Sequence, residues 1–131
     1  MPLILLTNNR NRYIRINWKN RIRWNWMILP KGDVVLIDWE YSGFSDPGID
    51  IGYYIVDAMY DFADARCFIK AYLGEEWTLQ AEYHFMAYTA IIAYYWFVWA
   101  LYRESCGANM GDVLSRWHDM AVKYADYLLT E

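Results

Sequence analysis

Acidic residues gather in one short stretch of this sequence, "VVLIDWEYSGFSDPGIDIG", which spans residues 34–52. An aliphatic run is followed by Asp38, Glu40, Asp46 and Asp50, so four carboxylates lie within thirteen residues. A carboxylate just past a buried strand can hold Mg²⁺, which takes one or two protein carboxylates and leaves its other positions to water and phosphate oxygens. Asp38 taken alone is better explained as a residue that caps a turn. The rest of the sequence must therefore decide between a cap and a metal site.

The elements that position these carboxylates begin with a β-pattern. Apolar and polar residues alternate in "RYIRINWKNRIRWNWMIL", and this period of two predicts one or two strands. A turn at residues 30–33 follows, because Pro, Gly and Asp are typical turn residues. Residues 34–37 then form a short buried strand, and we expect it to pair with part of the preceding segment as a hairpin.

Helices are predicted from residue 46 onward. Asp46 before Pro47 is typical of a helix start, Gly74 of a helix end, and Thr78 of a second N-cap. The fold class is therefore mainly α, a short N-terminal β-hairpin followed by a helical bundle. The predicted helices cover residues 47–63, 64–73, 78–104, and 109 or 111 to 129.

Charge divides the chain in two. Residues 1–32 hold seven of the 12 Lys and Arg residues and no acid, whereas residues 33–131 hold the other five and all 16 acids. We treat residues 1–32 as a basic leader of probable strand pattern and residues 33–131 as an acidic, aromatic body. The leader's charges are spread through a β-pattern, so we expect no nucleic-acid binding. The two cysteines are too few for a disulfide framework or a zinc site, which favours a cytoplasmic location.

An uncharged run from Tyr83 to Tyr102 is 20 residues long, the length of a membrane span. Tyrosines at 88, 94 and 95 lie in the middle of the run, whereas membrane helices concentrate tyrosine at the two interfaces. We therefore predict a buried central helix and no membrane span.

Three motifs together resemble a known family. "IDWEYSG", then "DPGIDIG", then "VDAMYDF" resemble the signature of choline/ethanolamine kinases, which belong to the wider protein-kinase-like and aminoglycoside-phosphotransferase-like fold. The resemblance covers about residues 33–131 and is specific in residues 36–62. It implies that this body corresponds to the C-terminal lobe of a protein-kinase-like fold, and that choline or ethanolamine is its partner.

The resemblance also implies roles for five residues. Asp38 matches the Mg²⁺-binding acid of the family, and Glu40 supports the metal or its waters. Tyr41 matches an aromatic residue that lines the choline pocket. Asp50 matches an acid that braces the catalytic loop, which is a structural role. Asp57 stands where the family has a glutamate facing the quaternary ammonium.

Aromatic residues complete the implied pocket. "YYWFVWAL" resembles the family's Trp-x-x-Trp, which implies that Trp96 and Trp99 belong to an aromatic cage, and residues three apart lie on one helix face. "KYADYL" implies Tyr124 as a further cage residue, and Phe62 stands where animal enzymes have tyrosine. A trimethylammonium group has no N–H to donate, so π faces and carboxylates are what can recognise it. Aromatic residues make up 20% of the chain, which such a cage explains better than packing alone.

Other parts of the family pattern are missing. A motif like His-x-Asp-x-x-x-x-Asn, expected upstream of Asp38, has no match in "RNRYIRINWKNRIRWNWM", which contains neither acid nor histidine. An ATP site is also absent, so we assign no catalytic residue. We expect a C-terminal fragment of a choline/ethanolamine kinase that keeps the amino-alcohol pocket and one Mg²⁺-binding Asp but is inactive alone. The composition break suggests a truncated or altered gene product.

Two alternatives stay open. Another chain could supply the missing groups and complete an active kinase, or the chain could be a structural or interaction domain in which the aromatic residues only pack. Choline and ethanolamine are not distinguished by the sequence. A missing lobe would leave apolar surface exposed, so self-association is expected as well.

Overall fold

The computed structural model describes residues 26–31, 34–36 and 45–130. The predicted metal ligands Asp38 and Glu40 lie outside these residues, as do Tyr41 and most of the basic leader. Two short strands, β1 (Trp26–Ile28) and β2 (Val34–Leu36), pair antiparallel with Met27 opposite Val35.

Four helices form the rest of the described chain, and the mainly α-helical fold predicted from the sequence is confirmed. A short 3-10 turn at Gly74–Glu76 separates the second helix from the third. The helices are α1 (Pro47–Asp57), α2 (Phe62–Leu73), α3 (Leu79–Ser105) and α4 (Val113–Leu129).

The start of α1 follows its sequence signal, but its end does not. The Asp46 carboxylate accepts a hydrogen bond from the Gly48 backbone N–H at 2.7 Å. The helix ends at Asp57 rather than at residue 63, so the prediction was wrong there. The chain turns at Met59, which has a φ of 53°, and Asp61 then caps α2 by accepting from the Asp64 N–H at 2.9 Å. The cap at Asp61 therefore starts α2 earlier than the predicted boundary at residues 63–64.

The long helix α3 was predicted closely. Thr78 caps it by accepting a hydrogen bond from the Ala81 N–H at 3.0 Å, and the helix ends at Ser105. Gly107 follows in the left-handed region, with a φ of 86°, where residues with a side chain are strained. The last helix begins at Val113, slightly later than the predicted 109 or 111.

The core lies where α3 packs against α1 and α4. The backbones of α1 and α3 approach closely at Gly52, because a Cβ added there would lie 2.7 Å from Ile92 Cδ1 and 3.1 Å from the Thr89 backbone nitrogen. The glycine therefore lets α1 sit directly on α3. Fully buried side chains in this core include Ile51, Ile55, Val56, Ile69, Met86 and Tyr124.

A buried carboxylate ties the other helices to α3. Glu82 is fully buried and accepts hydrogen bonds from Arg66 Nε at 2.6 Å and from Trp77 Nε1 at 3.0 Å. The Tyr127 hydroxyl donates to it at 3.4 Å. Hydrogen bonding to Glu82 raises the pKa of the Arg66 guanidinium above its ordinary value. One charged side chain thus joins α2, the 3-10 turn and α4 to the start of α3.

By length and composition α3 could cross a membrane. Its buried face, however, packs against α1 and α4, and it carries the buried Glu82 near its start. The arrangement is that of a core helix in a helical bundle, although one face of α3 stays exposed.

Candidate functional site

Two indoles of α3 form a corner. The ring planes of Trp96 and Trp99 meet at 89°, and their centroids are 5.3 Å apart. The two residues lie on one side of the helix, as their spacing of three predicts. Both side chains are half-buried, so the indoles pack on the protein while part of each ring faces solvent. Two perpendicular π surfaces of this kind can contact one cation from two sides.

The C-terminal end of α1 lies beside this corner. Tyr53 packs its ring against Trp96 at 6.1 Å between centroids, with the planes at 80°. Asp57 follows Tyr53 by one helical turn and is the last residue of α1. Neighbouring Val56 belongs to the same apolar cluster as the residues that hold Trp96. Asp57 therefore lies one helical turn from a residue that contacts Trp96.

The electrostatics of this helix end favour a cation. The C-terminus of an α-helix carries a partial negative charge of about half an elementary charge, and a basic residue normally offsets it. The last turn of α1 contains no basic residue and ends instead in the acidic Asp57. Within that turn, the helix dipole and the carboxylate both contribute negative potential. A positively charged ligand bound there would be stabilised by both.

Trp117 of α4 is part of the same aromatic group, and the sequence analysis missed it. Its ring stacks on Trp96 at 5.4 Å, with 27° between the planes, and lies 6.5 Å from Trp99. Its indole nitrogen is buried and has no hydrogen-bond acceptor among the described residues. The sequence spacing could have predicted this residue. Trp117 precedes Tyr124 by seven residues, and two helical turns place both on one face of α4.

Phe62 and Tyr124 lie together, but in another apolar cluster from the indoles. Their rings stack at 5.2 Å. The Tyr124 side chain is only 1% exposed, and its hydroxyl donates to the backbone carbonyls of Tyr60 and Asp61 at 3.1 and 3.3 Å. Burial raises the pKa of its phenol well above the ordinary value for tyrosine, with Asp61 and Asp64 adding to the effect. Tyr124 therefore fastens the loop that follows Asp57 onto α4.

A cation of the protein itself already lies over one indole. The guanidinium carbon of Arg103 is 5.7 Å from the Trp99 ring centroid, within the range of a cation–π contact. Arg103 is exposed and follows Trp99 by one helical turn. The face of Trp99 is thus accessible to a positively charged group.

The remaining predicted site residues give less information. Asp50 is buried on α1, as a structural acid would be. Within residues 26–31, 34–36 and 45–130, no group of three or more His, Cys, Asp or Glu side chains could hold a metal ion. The predicted ligands Asp38 and Glu40 fall in the gap before residue 45, so the magnesium prediction stays a prediction.

Comparisons with known proteins point in one direction. No family model matches the sequence. Protein LicA of Haemophilus influenzae is 28% identical over 108 residues, which cover 78% of this chain and 40% of that protein. A second Haemophilus influenzae Protein LicA is equally similar and is covered over 32% of its length.

Solved structures share the fold. The crystal structure of choline kinase LicA from Streptococcus pneumoniae matches with a TM-score of 0.57 at 23% identity, over 92% of this chain and 41% of that one. The structure of LicA in complex with AMP matches with a TM-score of 0.55 at 23% identity, over 88% of this chain and 40% of that one.

This chain therefore spans less than half the length of the relatives it matches. The sequence motifs and the curated relatives indicate the same similarity, and the solved structures share the helical fold. The chain is similar to choline-kinase-like LicA proteins and matches part of their length.

Proposed function

We propose that this chain provides the amino-alcohol-binding part of a choline/ethanolamine kinase, and that it binds the cationic head of choline between the Trp96–Trp99 corner and Asp57. One observation carries the proposal. Trp96, whose ring is perpendicular to that of Trp99, packs on Tyr53 one turn before Asp57, and the last turn of α1 holds no basic residue.

The chemistry of the ligand fits these groups. A quaternary ammonium carries a full positive charge but no N–H, so it cannot donate an N–H hydrogen bond to an acceptor. An aromatic face contributes about 0.5–2 kcal/mol, more as the contact is desolvated. Ethanolamine has a primary ammonium that would gain more from hydrogen-bond acceptors. The two indoles therefore favour choline over ethanolamine.

Residues around the corner have supporting roles in this proposal. Trp117 backs the ring of Trp96 and keeps the corner perpendicular. Tyr124, with Phe62 stacked on it, fixes the loop after α1 and so holds Asp57 at its place. Tyr41, in the segment before residue 45, is also proposed to line the pocket.

The phosphoryl-transfer half of the reaction is a separate part of the proposal. Asp38 and Glu40 would hold Mg²⁺, which in kinases bridges and neutralises the phosphate oxygens of ATP. The nucleotide site would lie in the portion of the relatives that this chain does not span. The isolated chain would therefore bind the acceptor alcohol in the cytoplasm without phosphorylating it, unless another chain supplied that portion.

Calorimetry and tryptophan fluorescence with choline and no nucleotide test the binding. We expect saturable binding with a change in fluorescence, and a loss of about two- to thirtyfold in affinity for Trp96→Ala or Trp99→Ala, since each removes a π face. Trp77→Phe is the control, because Trp77 is held by Glu82 and Lys70 near the start of α3. Ethanolamine should bind more weakly than choline.

The same experiment can reject the proposal. If the aromatic residues only pack, choline will produce no saturable signal, and the indole variants will differ from the parent chain in stability alone. Equal losses in the control and in the Trp99 variant would also contradict a specific site.

A further inference from the structure

One face of α3 is apolar and is not covered by the other described helices. Its side chains recur at spacings of three and four residues, so they form a continuous stripe along about three turns of the helix. We call this stripe the outer face of α3. It consists of Ile91, Tyr94, Tyr95, Val98, Leu101 and Tyr102, all of them exposed.

We propose that the outer face of α3 is a docking surface for a second copy of this chain. The opposite side of the helix is already buried against α1 and α4, so the stripe is left over after the bundle has formed. No Asp, Glu, Lys or Arg occurs from residue 83 to residue 102. Two copies can therefore approach along this face without bringing like charges together.

The order of residues suits a two-fold pairing. If two α3 helices cross antiparallel with their midpoint between residues 95 and 98, Tyr95 of each copy lies opposite Val98 of the other. The same axis places Ile91 opposite Tyr102. Both of these contacts pair a tyrosine with an aliphatic side chain, and the same patch serves both copies, as a closed two-fold dimer requires.

The available area is sufficient for such a dimer. With a whole side chain counted at about 170 Å², near the lower end of the aromatic range, the exposed fractions of the six residues amount to roughly 550 Å² per copy. Two copies would bury roughly 1,100 Å², just above the ~1,000 Å² that a specific interface needs. The interface would be small, and we expect dissociation in the micromolar range.

A lipid surface fits the stripe less well than a protein. Three of the six residues are tyrosines, whose hydroxyl groups prefer the interfaces of a membrane to its centre. Tyr94 and Tyr95 lie in the middle of the stripe rather than at its ends. Interdigitating tyrosines and aliphatic residues are, in contrast, common in contacts between proteins.

A matched pair of lysine substitutions tests the proposal by sedimentation equilibrium of the full chain. Val98 and Val122 are both helical valines with 45% of their surface exposed, but Val122 lies on α4, outside the stripe. We expect a dimer for the parent chain and for Val122→Lys. Val98→Lys should raise the dissociation constant at least about tenfold, because it places two ammonium groups in an apolar contact.

Several outcomes would overturn the proposal. A parent chain that stays monomeric at about 100 μM would do so, as would equal weakening by both lysine substitutions. A monomer that binds phosphatidylcholine vesicles through the same face would replace the second copy with a membrane. Circular dichroism should show unchanged helicity in Val98→Lys. If it does not, Tyr95→Gln is measured instead and must weaken the dimer while Val122→Lys does not.

Discussion

At the scale of single residues, the contact between Arg103 and Trp99 bears directly on ligand binding. A bound ammonium and the guanidinium would share one π face, and like charges repel. We therefore expect Arg103→Gln to increase choline affinity by about two- to fivefold, the equivalent of one exposed cation–π contact. Calorimetry with choline measures the change.

The control for that prediction is Arg116→Gln. Arg116 is exposed and pairs with Asp112 one turn earlier on α4, so its loss changes the net charge equally without uncovering the indole. A similar gain in both variants would mean that net charge, and not the face of Trp99, governs the affinity.

We expect Tyr124 to make the free energy of unfolding fall at alkaline pH. Burial raises the pKa of its phenol, so the folded chain holds this proton more tightly than the unfolded chain, whose tyrosines ionise near pH 10. The stabilisation is therefore complete below about pH 10 and is lost as the pH rises above it. Tyr124→Phe should cost about 1 kcal/mol at neutral pH and should flatten the decline above pH 10. Urea unfolding from pH 8 to 11.5 measures both effects, and an equally steep decline in the variant would contradict the assignment.

Residue roles were only partly predictable from the sequence. The spacing of Trp96 and Trp99 predicted that their rings would meet, because helix geometry decides that contact. No local signal shows that Tyr124 would turn its hydroxyl to the backbone at residues 60–61, since that contact depends on where the chain bends after α1. Trp117 was not predicted because the family motif quoted for α4 contains Tyr124 but not Trp117, although both residues lie on one face of that helix.

At the scale of elements, the junction of α2, α3 and α4 depends on one buried acid. Glu82 accepts hydrogen bonds from the Arg66 guanidinium and the Trp77 indole. A glutamine in its place would keep the shape of the side chain but lose the negative charge. We expect Glu82→Gln to lower the free energy of unfolding by about 2 kcal/mol, the scale for a hydrogen bond to a charged group. Denaturant unfolding measures it. The exposed Glu76→Gln should stay within about 0.5 kcal/mol of the parent, and an equal loss there would contradict the role of Glu82.

Helix boundaries followed their caps where the caps were recognised. Thr78 and Asp46 each precede an apolar helical pattern, and both accept the hydrogen bonds expected of them. The division between α1 and α2 was predicted at residues 63–64, later than it lies, because the cap at Asp61 is inside a continuous apolar pattern. A left-handed Met59 is needed there as well, and residues other than glycine seldom adopt that conformation.

At the scale of the whole molecule, the uncharged sequence of α3 was predicted to mean burial. The structure shows that burial explains only part of it, since one stripe of the helix faces outward. Composition alone cannot separate a fully buried helix from one that is buried on one side and docks a partner on the other. The difference depends on how many neighbours the helix has, and that is a property of the assembled bundle.

The chain as a whole should bind the acceptor without carrying out the reaction. It spans 40% of the Haemophilus LicA protein, and residues 10–27, where the family motif with the proton-accepting Asp is expected, contain no acid. We therefore expect no phosphocholine after incubation of the purified chain with choline, Mg²⁺ and ATP, as followed by ³¹P NMR. Choline binding in the same preparation, measured by fluorescence, is the control that the protein is folded. Phosphocholine that accumulates in proportion to the chain, and that disappears in Trp99→Ala, would show instead that the catalytic groups are present or are supplied by a second copy.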